Sequence, residues 1–183
     1  SNWIKSGVLP LVLALEQNGY GKYDGKKVLK SKSEPISYEG KYLNEYDDKK
    51  DFKQAKYMVI AGSGENLVGK LEEELRVVAS PENSDGSQIK IVIGSTVASE
   101  GLDFKNIRSI HILEPWHNIN KLEQVIGRGI RNCSHKELEA KERNVTVYLH
   151  SSTVEDKESI DMYLYRYSEY KAKQIGEIEN LLK

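Results

Sequence analysis

The chain has a single cysteine, Cys133, among its 183 residues, which excludes an internal disulfide and a multi-cysteine zinc site. A lone thiol fits a reducing, intracellular setting. No apolar run approaches the roughly 20 residues that a membrane span needs, and no signal-peptide pattern opens the sequence. Charge of one sign is missing as well: 27 Lys and Arg stand against 28 Asp and Glu, for a net charge of -1. Bulk basicity therefore gives no argument for nucleic-acid binding, and any phosphate-binding face has to be local. The four histidines, His111, His117, His135 and His150, have no partner among themselves at helical spacing, so no metal site is expected. No internal repeat is visible. The length suits one domain that can bury a proper core.

What is present falls into an ordered pattern. Ser1 to Asn18 reads as a helix interrupted at Gly7 and Pro10, apolar nearly all round and hence buried, with Gly19 as its stop. Because this apolar pattern begins at Trp3, a fragment cut from a longer protein is expected. Residues 19–51 are rich in Lys, Tyr, Gly and Ser, show no clear period, and read as a partly ordered surface insertion. From Tyr57 strands and helices alternate. Strands are expected over Tyr57–Ala61, Ile89–Ile93, Ser109–Leu113 and Val145–Leu149. Helices are expected over Asn66–Val78 and Asn118–Cys133, and one or two tyrosine-rich helices over Glu155–Lys183. Such alternation predicts an α/β fold with a parallel sheet covered on both faces. The domain then runs over 1–150, followed by a helical extension over 151–183.

The chemistry lies in 94-GSTVASEGLDF-104 and 118-NINKLEQVIGRGIRNCSH-135. On a helix advancing about 100° per residue, Gln124, Arg128 and Arg131 fall within roughly 60° of one another. Leu122, Val125, Ile126 and Ile130 take the opposite side. Two guanidiniums converging with an amide, and no acidic partner beside them in the helix, suit the oxygens of a phosphate. The structural alternative is a solvated polar face on an amphipathic helix. Gly127 and Gly129 each cost the helix about 1 kcal/mol relative to alanine, which makes sense where a backbone or ligand must come close.

The order Gln-x-x-Gly-Arg-x-x-Arg after a Ser/Thr-to-Gly-x-Asp loop, with a strand between them, resembles motifs V and VI of superfamily 2 helicases. Together with Trp116, the Arg-Asn-Cys-Ser-His ending and the following ERNVTVYLH, it resembles the C-terminal helicase domain of the poxvirus-type ATPases of large DNA viruses. These are the nucleoside triphosphate phosphohydrolase and the early transcription factor ATPase. The resemblance covers Lys53 to His150 firmly and residues 19–51 hardly at all.

It implies a RecA-like sheet sandwiched between helices, with its first strand missing from this chain. It also implies a role as one half of an ATP-dependent helicase or translocase. Arg128 and Arg131 look like the arginine-finger pair reaching the γ-phosphate, and Gln124 like their polar neighbour. Gly101, Asp103 and Gly127 look like positions facing the nucleotide. Gly94, Ser95 and Thr96 resemble the part of motif V that touches the sugar–phosphate chain, a contact that positions a strand without reading its sequence. Glu100 departs from the wider pattern and is better suited to pair with one of the arginines than to touch nucleotide. The implied cofactors are ATP and Mg2+, held mainly by an N-terminal RecA-like domain of the same protein. The implied partners are that domain, DNA or RNA, and viral transcription machinery, in the host cytoplasm or the virion. Two rivals remain open: the motor half of a restriction-type DNA translocase, and a degenerate RecA module without catalysis in a viral transcription complex.

One stretch competes for the nucleotide. Gly64-x-x-x-x-Gly69-Lys70-Leu71 falls one residue short of a phosphate loop, which needs a Ser or Thr hydroxyl on magnesium after the lysine. Leu71 cannot ligate magnesium and keeps step with Leu67, Leu75 and Val78, so it reads as core and Lys70 as solvated. No Asp-Glu-x-His/Asp sequence occurs in the chain. His111 alternates into a strand and reads as a core histidine, while His117 and His135 flank the motif VI helix in capping or backbone-bonding positions. Trp116 is expected to pack on that helix. The stripe Tyr163, Tyr167 and Tyr170 belongs to an amphipathic helix.

Overall fold

A computed structural model describes residues 4–30, 33–62, 70–95 and 104–181. A π-helical turn over Ile4–Val8 leads into α1, Leu9–Gln17. Pro10 sits in the first turn of α1, where its missing N–H is tolerated. The helix is not buried all round. Only Val8, Val12 and Glu16, spaced four apart, are fully enclosed, while Leu9, Leu11 and Leu15 pack partly against the core. A helix lying on one sheet can hide only one stripe, however apolar its other faces. Gly19 ends it at φ +86°, and a Cβ there would lie 2.1 Å from the Glu34 carbonyl oxygen. Only glycine fits that turn.

Within 19–51, Gly21–Lys22 form β1, which pairs in parallel with β2, Lys56–Ile60. β2 pairs on its other side with β3, Ile91–Gly94, again in parallel. Between β2 and β3 lies α2, Leu71–Ala79, followed by a 3₁₀ turn over Pro81–Asn83. A second parallel pair joins β4, Ser109–Ile112, to β5, Thr146–Leu149. Between those strands runs α3, Ile119–Gly129, and the chain closes with α4, Ile160–Leu181. Every strand pairing is parallel, as expected of this α/β alternation. The strands nevertheless make two sheets, β1-β2-β3 and β4-β5, rather than the single sheet expected from Tyr57 to Leu149. Hydrophobic runs identify strands but do not say which edges meet, and among the described residues no strand joins β3 to β4. No described helix is long and apolar enough to cross a membrane.

The core follows from the two-residue period of β2. Tyr57 and Val59 face one side, with Val8, Val12 and Ile93. Met58 and Ile60 face the other, with Val78 and Ile89, and Leu71, Leu75 and Phe104 pack against them. A central strand covered on both faces is apolar at every position, which explains the uninterrupted Tyr-Met-Val-Ile run.

Two carboxylates are buried in this half. Glu16 accepts the Tyr57 hydroxyl at 2.6 Å, the Val28 N–H at 3.0 Å and the Leu29 N–H at 2.5 Å. It thereby ties the segment after β1 to α1 and β2. Burial, then the carboxylate of Glu16, pushes the Tyr57 phenol well above its usual range. Glu74 on α2 is 1% exposed, and neither of its carboxylate oxygens has a hydrogen-bond partner. Burial raises its pKa first and the charge of Asp24 raises it further, while Lys22 pulls the other way.

Candidate functional site

The site is built where the two sheets hand over to their loops. Gly94 closes β3 opposite Ile60, and the Ser95 N–H donates to the Ile60 carbonyl at 2.9 Å. Motif V therefore departs from the carboxyl end of a parallel strand, where open α/β sheets bind ligands. Thr96, Glu100, Gly101 and Asp103 lie outside the described residues. So do Gly64, Leu67 and Gly69 of the near-phosphate loop. The described end of that loop agrees with a structural reading. Lys70 is exposed and pairs with Glu73 at 3.5 Å, and Leu71 packs partly into the core.

Motif VI starts after the carboxyl end of β4. Asn118 caps α3, its side chain accepting the Asn120 N–H at 3.0 Å, as short polar side chains do at helix starts. Trp116, just before the cap, lies under the Lys121 ammonium at 4.8 Å, so it packs on the helix as expected. Leu122, Val125 and Ile126 are half-buried. Gln124 and Arg128 are one turn apart and share a face.

Two expectations about this helix need correction. It ends at Gly129, so Arg131 does not share a helical face with Gln124 and Arg128. The Arg131 backbone carbonyl is instead bonded into the turn that follows. Ile130, assigned to the packed side, is 49% exposed because it already lies past the last helical residue. The end of the helix lies over its sheet. A Cβ on Gly129 would lie 2.7 Å from Ile110 Cδ1 and 3.2 Å from Ile107 Cγ2, so the arginine-bearing end meets the stretch that leads into β4. Gly129 is thus the glycine of close approach. Gly127 faces open space instead, which leaves room for a ligand and gives no packing reason for its small size.

After Arg131 the chain turns back on itself. Cys133 is exposed, at φ +61°. Ser134 is buried, its N–H and hydroxyl both donating to the Arg131 carbonyl, at 3.1 and 2.8 Å. The Asn106 N–H donates to the Ser134 carbonyl at 3.0 Å, with Asn106 at φ +57°. His135 donates from Nε2 to the Ile107 carbonyl at 2.7 Å, and its Nδ1 lies 2.8 Å from Ser134 Oγ. The backbone-bonding role expected of His135 is present, whereas the helix cap is Asn118 and not His117. Ser134 and Asn106 were not legible as site residues. Ser134 entered only as part of the Arg-Asn-Cys-Ser-His ending, with no role of its own, and Asn106 lies just past the motif V loop.

His111 is not a core histidine. It is exposed, stacks on Tyr148 with ring centroids 4.6 Å apart, and meets His150 with Nδ1 to Nε2 at 3.0 Å. The parallel register of β4 and β5 sets His111 opposite Tyr148, a neighbourhood that spacing along the chain cannot reveal. No group of three or more His, Cys, Asp or Glu that could hold a metal occurs among the described residues.

Comparisons with known proteins fit this geometry. The model of the helicase conserved C-terminal domain matches residues 39–133, more than half of the chain. A "putative ATP-dependent RNA helicase" of Acanthamoeba polyphaga mimivirus is 31% identical over the whole chain, which spans 17% of that protein. A "putative helicase" of Invertebrate iridescent virus 3 is 30% identical, again over the whole chain and 17% of the relative. The early transcription factor large subunit homolog of African swine fever virus (strain Badajoz 1971 Vero-adapted) is 44% identical over 46% of this chain and 8% of its own length. With two motif-bearing loops on a parallel α/β frame and a family match that spans them, this chain belongs to the helicase conserved C-terminal domain family and is similar to the domains of viral helicase-like proteins.

Proposed function

We propose that this domain completes an inter-domain ATP site in a full-length viral helicase or translocase. Arg128 and Arg131 act as arginine fingers there, with Gln124 beside them. One observation carries the reading: Gln124 and Arg128 share a face of α3, and the Arg131 carbonyl is bonded into the turn joined to residues 106–107. The turn after motif VI is therefore bonded to the segment that follows motif V. Guanidiniums suit the chemistry, since planar forks of donors stabilise charge on a transferring phosphoryl group. Gly101, Asp103 and Gly127 would face the nucleotide, and Gly94, Ser95 and Thr96 would touch the sugar–phosphate chain of DNA or RNA. ATP and Mg2+ would be held mainly by an N-terminal RecA-like domain of the same protein.

The similarity to the African swine fever virus early transcription factor subunit homolog supports a place beside viral transcription machinery, in infected-cell cytoplasm or the virion. The test is Arg128→Ala and Arg131→Ala in the full-length protein. ATP turnover should fall by about 10³-fold or more, while nucleotide binding weakens far less, because the charge acts mainly on the transition state. Unchanged turnover in both variants refutes the reading.

A further inference from the structure

We infer that Ser134 and His135 are positioning residues: together they clip the Arg131 backbone to the segment emerging from motif V. The inference rests on the reading of Arg131 as an arginine finger. A helix would fix the direction of Arg131 by itself, but α3 ends at Gly129 and Ile130 has left helical geometry, at φ -117° and ψ 73°. Something beyond the helix must help to hold the Arg131 backbone.

The described residues show what does. The Arg131 carbonyl receives two bonds from one residue, the Ser134 N–H and hydroxyl. The serine is 7% exposed, so water does not compete for these groups, and a buried polar atom deprived of its partner is costly. The Ser134 carbonyl in turn receives the Asn106 N–H. His135 braces the same joint from the other side. Its Nε2 faces a carbonyl, which only accepts, so Nε2 carries a hydrogen and donates to Ile107 at 2.7 Å. Its Nδ1 meets Ser134 Oγ at 2.8 Å. Ser134 Oγ has one hydrogen, given to the Arg131 carbonyl, so the imidazole braces the joint through its bond to Ile107 and its contact with Oγ. A second link joins Asn106 to Ser134.

This joint also explains two left-handed residues that are not glycine, Asn106 at +57° and Cys133 at +61°. Each is the residue next to one of the bonded groups, and such conformations persist where surrounding structure enforces them. The turn is buttressed by Arg143, which donates to the carbonyls of Leu138 and Lys136 at 2.9 and 3.1 Å. Movement of residues 104–108, which directly follow Gly101 and Asp103, is transmitted through the clip to the Arg131 backbone. The clip is the mechanical link between what motif V senses and where the arginine points.

The experiment uses the full-length protein and reads kcat and KM for ATP in His135→Ala and Ser134→Ala, each with the wild-type Arg131 and with Arg131→Lys. Misplacing a catalytic group by about 1 Å costs on the order of 10²-fold. With Arg131 present, kcat should fall roughly 10- to 100-fold. KM should stay within about twofold, since ground-state binding does not depend on the finger. In the Arg131→Lys background the further loss should shrink to nearly nothing, because both changes remove the same interaction. Equal losses in the two backgrounds overturn the clip, and so does an unchanged kcat. Unfolding of Ser134→Ala, which deletes one oxygen, also overturns it in favour of a purely structural joint. The underlying reading fails separately: if Arg131→Ala keeps full turnover, Arg131 is not a finger. If Arg131→Ala abolishes turnover while His135→Ala and Ser134→Ala do not, only the clip is wrong.

Discussion

Replacing Glu16 should damage this fold more than any other single change on α1. Its carboxylate is 5% exposed and takes hydrogen bonds from the Tyr57 hydroxyl and the Val28 and Leu29 amides. In Glu16→Ala all three donors lose their acceptor inside the protein. A buried donor left without a partner costs about 1–3 kcal/mol. The three share one site and are not additive, and the loosened segment after β1 can let water reach the amides. A loss of about 3–5 kcal/mol follows. That is a large share of the roughly 5–15 kcal/mol that holds a typical domain together.

Glu16→Gln keeps the shape but turns an amide NH₂ toward donors, so a loss of about 1–3 kcal/mol is expected from one donor facing another. Tyr57→Phe leaves the two amides bonded and should be the mildest of the three. Urea unfolding followed by tyrosine circular dichroism gives the order, and hydrogen exchange at Val28 and Leu29 gives the place. Those two amides should be protected in the wild type and exchange freely in Glu16→Ala. A Glu16→Ala midpoint equal to wild type, with both amides still protected, would refute the account of Glu16 as the anchor.

Three further outcomes are expected. Gly19→Ala should destabilise strongly, because a left-handed φ is combined with a Cβ position 2.1 Å from a carbonyl oxygen; denaturant unfolding checks it, and a loss no larger than for Gly25→Ala, at a left-handed glycine facing open space, counts against it. Glu74 has a pKa raised by burial, so its contribution to stability is complete below the unfolded value near 4.5 and declines as pH rises toward and through the raised folded value. Glu74→Gln should accordingly gain stability relative to wild type as pH rises from about 4.5, and parallel stability–pH curves for the two proteins would contradict this. Lys70→Ala should leave ATP turnover of the full-length protein unchanged, since Lys70 is exposed and pairs with Glu73; a collapse of turnover would reinstate the near-phosphate loop as a nucleotide site.

Much of the frame was legible because local chemistry decided it. Apolar runs located every long strand within a residue or two, since each strand's period is written in its own side chains. The helical period placed the start of α3 at Asn118, although the cap there is Asn118 itself and not the expected His117. What escaped notice depends on contacts between distant segments. Gly21–Lys22 is too short and too polar to read as a strand, and it becomes one because β2 offers an edge to pair with. His111 looked like a core residue by alternation, yet with Ser109 it lies on an exposed face of β4. The buried Glu16 sits in step with Val8 and Val12, and a helical wheel counts it as an interruption because the wheel cannot show the amides that satisfy it.

Motif VI shows most clearly how motif and geometry divide the work. Gln124, Arg128 and Arg131 are spaced as if one helix presented all three, and the helical projection accepts that. The observed helix stops two residues before the last arginine, so sequence spacing governs two of the three groups and tertiary hydrogen bonds govern the third. A helical face is rigid: it would hold all three groups in one arrangement whatever happened elsewhere. A turn bonded to residues 106–107 is not rigid in that sense. It holds Arg131 in a position that depends on the segment leaving motif V. If this domain helps to hydrolyse a nucleotide while gripping a strand, the dependence has a physical use. On the proposed reading, the residues that would meet the strand and those that would meet the phosphate lie in different motifs, and the turn after α3 would let one move the other.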